Sequence, residues 1–174
     1  TRTVYAQFKD SVGNVSSDAT DTIMLDYFAP TGTVLVNDGI AWTNSDSVTL
    51  TLSATDSHSG VAEMRFSNNG SAWSDWEVYA TSKVWSLAGT EGLVTVFVQY
   101  RDNAGNTSGQ FTDTITYDAT NPTGSIVINN DDLYTNSRDV TLTLSASDAG
   151  SGVYQMRFSN DDMVWSDWEA YGTS

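Results

Sequence analysis

Hydrophobic and polar side chains alternate with a period of two in short runs along the chain. Residues 48–54 show this most clearly, because Val and Leu fall on one face of the run and Thr and Ser on the other. Such alternation is typical of a β-strand with one buried face, and no stretch has a helical period. We therefore predict seven strands in the middle of the chain, at 33–36, 48–54, 62–67, 76–79, 83–87, 94–101 and 111–117.

The predicted strands are separated by clusters of Gly, Asn, Asp and Ser, which favour turns. Seven short strands with such turns between them indicate an all-β fold of the immunoglobulin-like sandwich type. The chain has no Cys, so the disulfide of antibody domains is excluded. We expect Trp85 to fill the core with the inward side chains of the strands, which are Val48, Leu50, Leu52, Ala54, Met64, Phe66, Val94, Val96, Val98 and Tyr100.

The sequence repeats itself with a period of 92 residues. Residues 1–82 align without a gap on residues 93–174, and 43 of these 82 positions are identical. The segment at 48–54 returns unchanged at 140–146, and the Trp-Ser-Asp-Trp-Glu segment at 73–77 returns at 165–169. A gapless period indicates one supersecondary unit laid down in series, an arrangement typical of proteins that provide length rather than catalysis.

The phase of the repeat gives the predicted domain organisation. Residues 1–26 correspond to the last two strands of a preceding repeat, 27–118 to one complete repeat, and 119–174 to the first part of a following repeat. We expect a slice of a longer polypeptide or a subunit whose ends are completed by neighbours. Pro30 and Pro122 restrict the joints between repeats, which we predict to be short and stiff.

The chain is strongly acidic, with 22 Asp and Glu against 7 Lys and Arg and a net charge of −15. This charge argues against nucleic acids and anionic membrane surfaces as partners and favours divalent cations. The lack of Cys excludes thiolate catalysis and Cys-bound zinc. No apolar run approaches the length that crosses a membrane as a helix.

One group of motifs resembles a known family. The segment Gln-Tyr-Arg-Asp-Asn-Ala-Gly-Asn at 99–106, the Thr-rich strand after it and the Asp-x-x-x-Pro-Thr joint at 118–123 resemble the bacterial Ig-like repeats of giant surface adhesins and other cell-surface array proteins. The resemblance implies a tandem β-sandwich stalk outside a bacterial or archaeal cell.

Three carboxylates are predicted to meet at the first joint. In an immunoglobulin-like sandwich the loop that holds Asp56 and the turn that holds Asp102 lie at the end where the chain enters, and Asp26 arrives at the same end. Hard oxygen ligands of this kind suit Ca²⁺, and the resemblance implies calcium between domains as well. The alternative is that these Asp side chains only cap turns. The full set of predicted metal ligands is Asp26, Asp56, Asp102, Asn103, Asp118 and Asp148.

An aromatic cluster follows the third predicted strand. Arg65 on the outward face of that strand is positioned to stack on Trp73 or Trp76, which predicts a structural cation–π ladder. The alternative interpretation is a glycan-binding face, to which Tyr79 would contribute.

The sequence gives little support for a catalytic function. His58 is the only His, and its counterpart in the next repeat is Gly150. No nucleophile elbow, P-loop or dinucleotide fingerprint is present. We therefore predict a protein that is not an enzyme and has no catalytic residues.

The predicted function is a structural spacer or stalk repeat of a long extracellular surface protein or filament, with calcium as the candidate cofactor of the joints. Two alternatives stay open: a subunit of an extracellular fibre completed by neighbouring chains, and a carbohydrate-binding accessory module. The expected partners are neighbouring Ig-like repeats in the same chain or fibre and, for the second alternative, surface glycans. Nucleic acid binding and membrane insertion are not expected.

Overall fold

The computed structural model describes residues 1–173, which form an all-β protein. Two single 3-10 turns, at Asn37–Gly39 and Asn129–Asp131, are its helical elements. The fourteen strands in chain order are β1 (Arg2–Ala6), β2 (Ala19–Ile23), β3 (Thr31–Val36), β4 (Trp42–Thr43), β5 (Ser47–Thr55), β6 (Val61–Ser67), β7 (Glu77–Val78), β8 (Ser82–Ser86), β9 (Gly92–Asp102), β10 (Phe111–Tyr117), β11 (Thr123–Ile128), β12 (Leu142–Ser147), β13 (Gln155–Met156) and β14 (Glu169–Ala170).

The strands of the middle repeat form two sheets. A three-stranded sheet has the order β3-β5-β8, and a five-stranded sheet has the order β4-β10-β9-β6-β7. The pairs β3–β5, β5–β8, β6–β7 and β6–β9 are antiparallel, whereas β4 and β10 run parallel, with Trp42 opposite Thr116. This division of strands between two sheets is that of an immunoglobulin-like β-sandwich, as the sequence predicted.

The two sheets enclose an apolar core. Tyr100 of β9 has no exposed surface, and its hydroxyl donates a hydrogen bond to the carbonyl oxygen of Thr33 in β3 at 2.6 Å. Phe66 of β6 packs against Trp85 of β8 with ring centroids 5.4 Å apart. The buried side chains shared between the sheets include Val34, Val36, Val48, Leu50, Leu52, Met64, Phe66, Val96, Val98 and Tyr100.

The strands agree with the predicted ones to within a few residues. Strand β10 has the predicted bounds, whereas the strand predicted at 76–79 is only the two residues of β7. Strand β4 was not predicted, because two residues carry no periodic pattern. Trp85 is half-buried rather than fully buried, and its Nε1 donates to Asn68 Oδ1 at 2.7 Å.

The chain divides into two compact units. Unit 1 contains Thr1–Gly39, Ser47–Leu87 and Thr95–Thr114, and unit 2 contains Ile40–Asp46, Ala88–Val94 and the residues from Ile115 onward. Unit 1 includes the β1–β2 hairpin, which pairs Arg2 with Ile23. No described helix is long and apolar enough to cross a membrane.

The 92-residue period is also visible in strand pairing. In unit 1, β3 pairs with β5 so that Val34 lies opposite Leu52. In unit 2, β11 pairs with β12 so that Ile126 lies opposite Leu144. Each residue of the second pair is 92 positions beyond its counterpart, so the two repeats have the same register here.

Candidate functional site

Three carboxylates from separate parts of the sequence meet within unit 1. Asp26 precedes β3, Asp56 follows β5 directly, and Asp102 is the last residue of β9. One carboxylate oxygen from each lies within 4.8 Å of those of the other two. Asp102 is buried, and Asp26 and Asp56 are half-buried. The structure therefore brings together the three side chains that were predicted to converge.

Asp56 organises the loop between β5 and β6. Its Oδ1 accepts backbone N–H groups from His58, Ser59 and Gly60 at 3.0, 2.9 and 2.9 Å. None of the hydrogen bonds found among the described residues goes to Oδ2. Asp56 thus holds its loop through Oδ1 alone.

Asp102 organises the turn that follows β9. Its Oδ1 accepts the backbone N–H groups of Ala104 and Asn106, and its Oδ2 accepts Asn106 Nδ2 at 2.8 Å. Burial acts to raise the pKa of Asp102, but the hydrogen bonds from Asn106 and Ala104 outweigh it, so the pKa lies below its ordinary value. The side chain is therefore an anion at neutral pH although it is buried.

Asp26 connects the joint to the same loop. Its Oδ1 accepts the backbone N–H of Phe28, and its Oδ2 accepts that of Ser59 at 3.0 Å. The nearby Ser59 hydroxyl, followed by the Phe28 N–H, lowers the pKa of Asp26. That hydroxyl oxygen is buried and makes no hydrogen bond of good geometry. Asn106 Nδ2 also donates to the Asp26 carbonyl oxygen at 3.3 Å, so both neighbouring loops hold the joint.

The cluster has the chemistry of a hard-cation site. Three anions lie close together, and neither ion pair found among residues 1–173, Lys83–Glu77 and Arg101–Glu63, includes any of them. Backbone N–H groups compensate part of the charge. A Ca²⁺ ion takes carboxylate oxygens in flexible geometry, so the donors present fit this ion.

Asn103, a predicted ligand, connects the two loops that carry Asp56 and Asp102. Its Nδ2 donates to the carbonyl oxygens of Ser59 and Gly60 at 2.8 and 3.2 Å, and its backbone N–H donates to Gly60 as well. The side chain is exposed. Asn103 thereby fastens the turn after β9 to the loop after β5.

In unit 2, Asp118 and Asp148 are the counterparts of Asp26 and Asp56, two of the three carboxylates in the cluster of unit 1. Asp118 accepts the N–H groups of Thr120 and Ser151, as Asp26 does from the residues 92 positions earlier. Asp148 accepts Gly150 and Gly152 through Oδ1. Asp148 Oδ2 is buried and has no hydrogen-bond partner among the described residues.

Several residues that support these sites were not predicted. Ser59 and Asn106 each form hydrogen bonds with more than one of the chain segments that carry the three carboxylates. Glu91 accepts the backbone N–H of Ala119 and the hydroxyl of Thr120 at the second joint. The repeat could have indicated Ser59 and Asn106, because each has an identical residue 92 positions away, Ser151 and Asn14. Nothing in the sequence pattern indicated Glu91.

The predicted cation–π ladder is present and longer than expected. The Arg65 guanidinium carbon lies 4.9 Å from the centroid of the Trp73 ring and 4.5 Å from that of Trp76. Arg101 lies 4.4 Å from the Trp76 centroid and forms an ion pair with Glu63. Arg65 also donates to Gln99 Oε1 from Nε and Nη2 at 3.0 and 2.7 Å.

Tyr79, the third residue of the predicted glycan-binding face, packs against the core rather than on the cation–π ladder. Its hydroxyl accepts the backbone N–H of Ala54 at 2.9 Å, and its ring meets Tyr100 edge-on at 5.8 Å. The ladder recurs in unit 2, where Arg157 lies 4.8 and 4.6 Å from the ring centroids of Trp165 and Trp168.

His58 lies beside the carboxylate cluster. Its ring stacks on Phe28 at 5.0 Å, and Nδ1 is 2.9 Å from the Ser57 hydroxyl. Its electrostatic interaction with Asp26 is a minor contribution to the lowered pKa of that carboxylate.

Among solved structures that resemble this chain is a bacterial domain whose similarity is weak. The PKD1 domain of Vibrio anguillarum Epp, a crystal structure, is similar at 18% identity and a TM-score of 0.39, over 53% of this chain and 100% of that domain. No family model matches the chain, and no curated protein matches it.

Proposed function

We propose that this chain is a run of structural spacer repeats from a long extracellular surface protein, with joints that calcium holds rigid. The proposal rests chiefly on one observation, the convergence of Asp26, Asp56 and Asp102. Asp26 belongs to the joint, and the other two belong to loops of the repeat that follows it. A cation bound by all three would cross-link the joint to that repeat.

The residues of the cluster have separate parts in this proposal. Asp56 offers its free Oδ2, and Asp26 and Asp102 offer oxygens on anions whose pKa values lie below the ordinary range. When bound, Ca²⁺ supplies positive charge that removes the mutual repulsion of the three carboxylates. The chain itself holds the loops in place through backbone hydrogen bonds.

The spacer interpretation is further supported by the repeat. Both joints carry an Asp that accepts a Ser N–H from the following repeat, Asp26 from Ser59 and Asp118 from Ser151. A protein whose job is to provide length needs every joint to be made in the same way. The resemblance to surface-array repeats agrees with an extracellular location.

Calcium titration of the full chain tests the proposal. We expect calcium to raise the Tm of the wild type and to bind at one tighter site per chain, as measured by calorimetry. Asp56→Asn preserves the Oδ1 acceptor for the loop and removes the charge, so it should abolish the shift. Asp75→Asn, in an exposed segment outside the cluster, is the matched control and should leave the shift unchanged.

Small-angle scattering provides a second readout. Chelation with EDTA should broaden the distance distribution of the wild type and have no effect on Asp56→Asn. A wild type with the same Tm and the same scattering in EDTA and in millimolar calcium would exclude the metal and leave a spacer with hydrogen-bonded joints.

Carbohydrate binding by Trp73, Trp76 and Tyr79 gains no support from the contacts described. Arg65 and Arg101 lie over the Trp76 ring, and the Tyr79 hydroxyl is bonded to the backbone. The hypothesis stays a prediction, for which glycan-array binding that is lost in a folded Trp76→Ala variant is the measurement.

A further inference from the structure

We propose that direct contacts of the chain close the second joint, residues 118–122, and that residues 120 and 150 decide which repeat can follow it. The contacts hold Asp118, Ala119 and Thr120 from both sides and involve no metal ion. They all lie within unit 2. The inference goes beyond the calcium proposal and does not rest on it.

The joint is anchored to the repeat before it at the end of β10. The backbone N–H of Thr116 donates to the Ala41 carbonyl oxygen, and that of Asp118 donates to the Thr43 carbonyl oxygen, both at 2.9 Å. Asp118 is buried, with 8% of its surface exposed. Strand β4 and the residue before it therefore fix the backbone at the point where the chain leaves the sandwich.

Glu91 adds a second contact, from the segment between β8 and β9. Its Oε1 accepts the backbone N–H of Ala119 at 3.0 Å, and the Thr120 hydroxyl lies 2.9 Å from both Oε1 and Oε2. A hydrogen bond to a carboxylate is roughly twice as strong as one between neutral groups. Glu91 thus fastens the two residues that follow Asp118 to the end of the complete repeat.

The loop after β12 contacts the joint from the other side. Asp118 Oδ2 accepts the backbone N–H of Ser151 at 2.6 Å. Ala149 and Gly150 of the same loop line one cleft with Trp42 of β4. The Asp118 carboxylate therefore belongs to the complete repeat and binds the repeat that follows it.

Gly150 is required in this loop for space. A Cβ at this position would be 2.4 Å from both Cγ and Oδ2 of Asp118, closer than such atoms approach in proteins. The Gly150 backbone is not in the left-handed region, so other residues could adopt its conformation. The neighbouring carboxylate is what excludes a side chain, because only glycine allows the backbone to come this close.

The first joint shares the contact between Asp and Ser and differs in the residues beside it. Thr120 and Gly150 correspond to Phe28 and His58, whose ring centroids lie 5.0 Å apart in a stack. Phe28 has no hydroxyl that could donate to a carboxylate as Thr120 does. The two positions differ together, so the first joint has a matched aromatic pair and the second has a hydroxyl with a glycine.

The matched pairs predict which loop fits which joint. A following repeat with a side chain at the position of Gly150 would have to move its loop away from Asp118, which would break the hydrogen bond to Ser151. The end of the complete repeat is therefore an interaction surface, and its partner is a loop with small residues at 149 and 150. Because this fit excludes larger residues, it would fix the order in which unlike repeats follow one another.

Hydrogen exchange of the Ala119 and Ser151 amides, followed by NMR on the full chain in EDTA, tests the closure. We expect both amides to be protected in the wild type. Glu91→Ala should speed exchange at Ala119 about tenfold, as expected for the loss of a hydrogen bond to a charged group, and Gly150→Ala should do the same at Ser151. Thr120→Val, at an exposed residue, removes only the hydroxyl contact and should have a smaller effect at Ala119.

Two matched variants control for the substitutions themselves. Asp139→Ala removes an exposed carboxylate that has no hydrogen bond among those found in residues 1–173. Gly109→Ala adds a Cβ with no atom within 4 Å. Neither should change exchange at Ala119 or Ser151, and the amides of β11 and β12 report whether each variant stays folded.

Distance measurements between two spin labels test the stiffness of the joint. The chain has no Cys, so Asp46→Cys and Ser125→Cys, both exposed and in unit 2, place one label on each side of the joint. We expect one narrow distance distribution in EDTA, unchanged by calcium. Gly150→His, which introduces the residue of the first loop, should broaden it, and so should Glu91→Ala.

Three results would overturn the proposal. The first is unprotected Ala119 and Ser151 amides in the wild type. The second is a pair of variants, Glu91→Ala and Gly150→His, whose distance distributions are as narrow as that of the wild type. The third is a broad wild-type distribution that narrows only in calcium, which would mean that a metal closes this joint. None of these results depends on the Tm shift that tests calcium at Asp56.

Discussion

The Tyr100 hydroxyl of β9 donates a hydrogen bond of 2.6 Å to the Thr33 carbonyl oxygen of β3, which links the two sheets through the core. Tyr100→Phe would leave that carbonyl oxygen without its donor. We expect this change to lower the free energy of unfolding by about 1–2 kcal/mol. Chemical denaturation measures the loss, and Tyr154→Phe, at an exposed Tyr, should have no effect.

The same tyrosine predicts a loss of stability in alkali. Burial raises the pKa of Tyr100 above the ordinary value of 10.0, because the core disfavours the phenolate. A pKa that is raised by folding stabilises the protein fully below pH 10, and this contribution is lost as the pH rises further. We expect the free energy of unfolding of the wild type to fall above pH 10. Tyr100→Phe should show a smaller fall, and an equal fall would contradict the assignment.

Gly32 allows the Tyr100 ring to lie against β3. A Cβ at this position would be 2.5 Å from both the Ser53 carbonyl oxygen and Cε2 of Tyr100. Gly32→Ala should therefore destabilise the sandwich by about 1–3 kcal/mol. Gly109→Ala is the control, since no atom lies within 4 Å of its added Cβ. Equal Tm values for the two variants would show that the strand moves aside freely.

The cation–π ladder predicts a large effect for a surface arginine. Arg65→Ala removes contacts with Trp73, Trp76 and Gln99, and we expect a loss of about 1–2 kcal/mol together with altered tryptophan fluorescence. Arg65→Lys should recover only part of this loss, because an ammonium cannot stack as a plane. Arg138→Ala, in an exposed segment of unit 2, should change neither quantity.

Acid should weaken the first joint. Asp26 and Asp102 have pKa values below the ordinary 3.8, so their contribution to stability is complete above that pH and is lost as the pH falls further. We expect the Tm in EDTA to fall below about pH 4. Asp102→Asn should make the Tm less dependent on pH in this range, and Asp75→Asn should leave the wild-type dependence. A pH profile unchanged by Asp102→Asn would be the contrary result.

The strands could be predicted because alternation is a local property. The segment at 48–54 places Val48, Leu50 and Leu52 on one face whatever the neighbouring strands are, and all three are buried. Strand β4 could not be found in this way. Its two residues are extended because they pair with the distant end of β10, and that pairing leaves no pattern in the local sequence.

The carboxylate cluster was predictable for a different reason. Asp26, Asp56 and Asp102 meet because the topology of an immunoglobulin-like sandwich brings those segments to one end. The contribution of Arg101 to the ladder was not predictable, because its contact with Trp76 depends on the register between β6 and β9. A bulge at Val61–Glu63 shifts that register by one residue, and the sequence gives no sign of it.

The identity of residues 48–54 and 140–146 has a consequence for folding. Strand β3 can pair equally well with β5 and with β12, as far as the side chains of these segments are concerned. The two pairings differ in the length of the intervening chain, which is about ten residues between β3 and β5 and about a hundred between β3 and β12. Closing the longer loop costs about 2 kcal/mol more, which favours the local partner about thirtyfold. The short β3–β5 connection is therefore the main protection of this chain against strand exchange between its own repeats, and lengthening it would make misfolding more frequent.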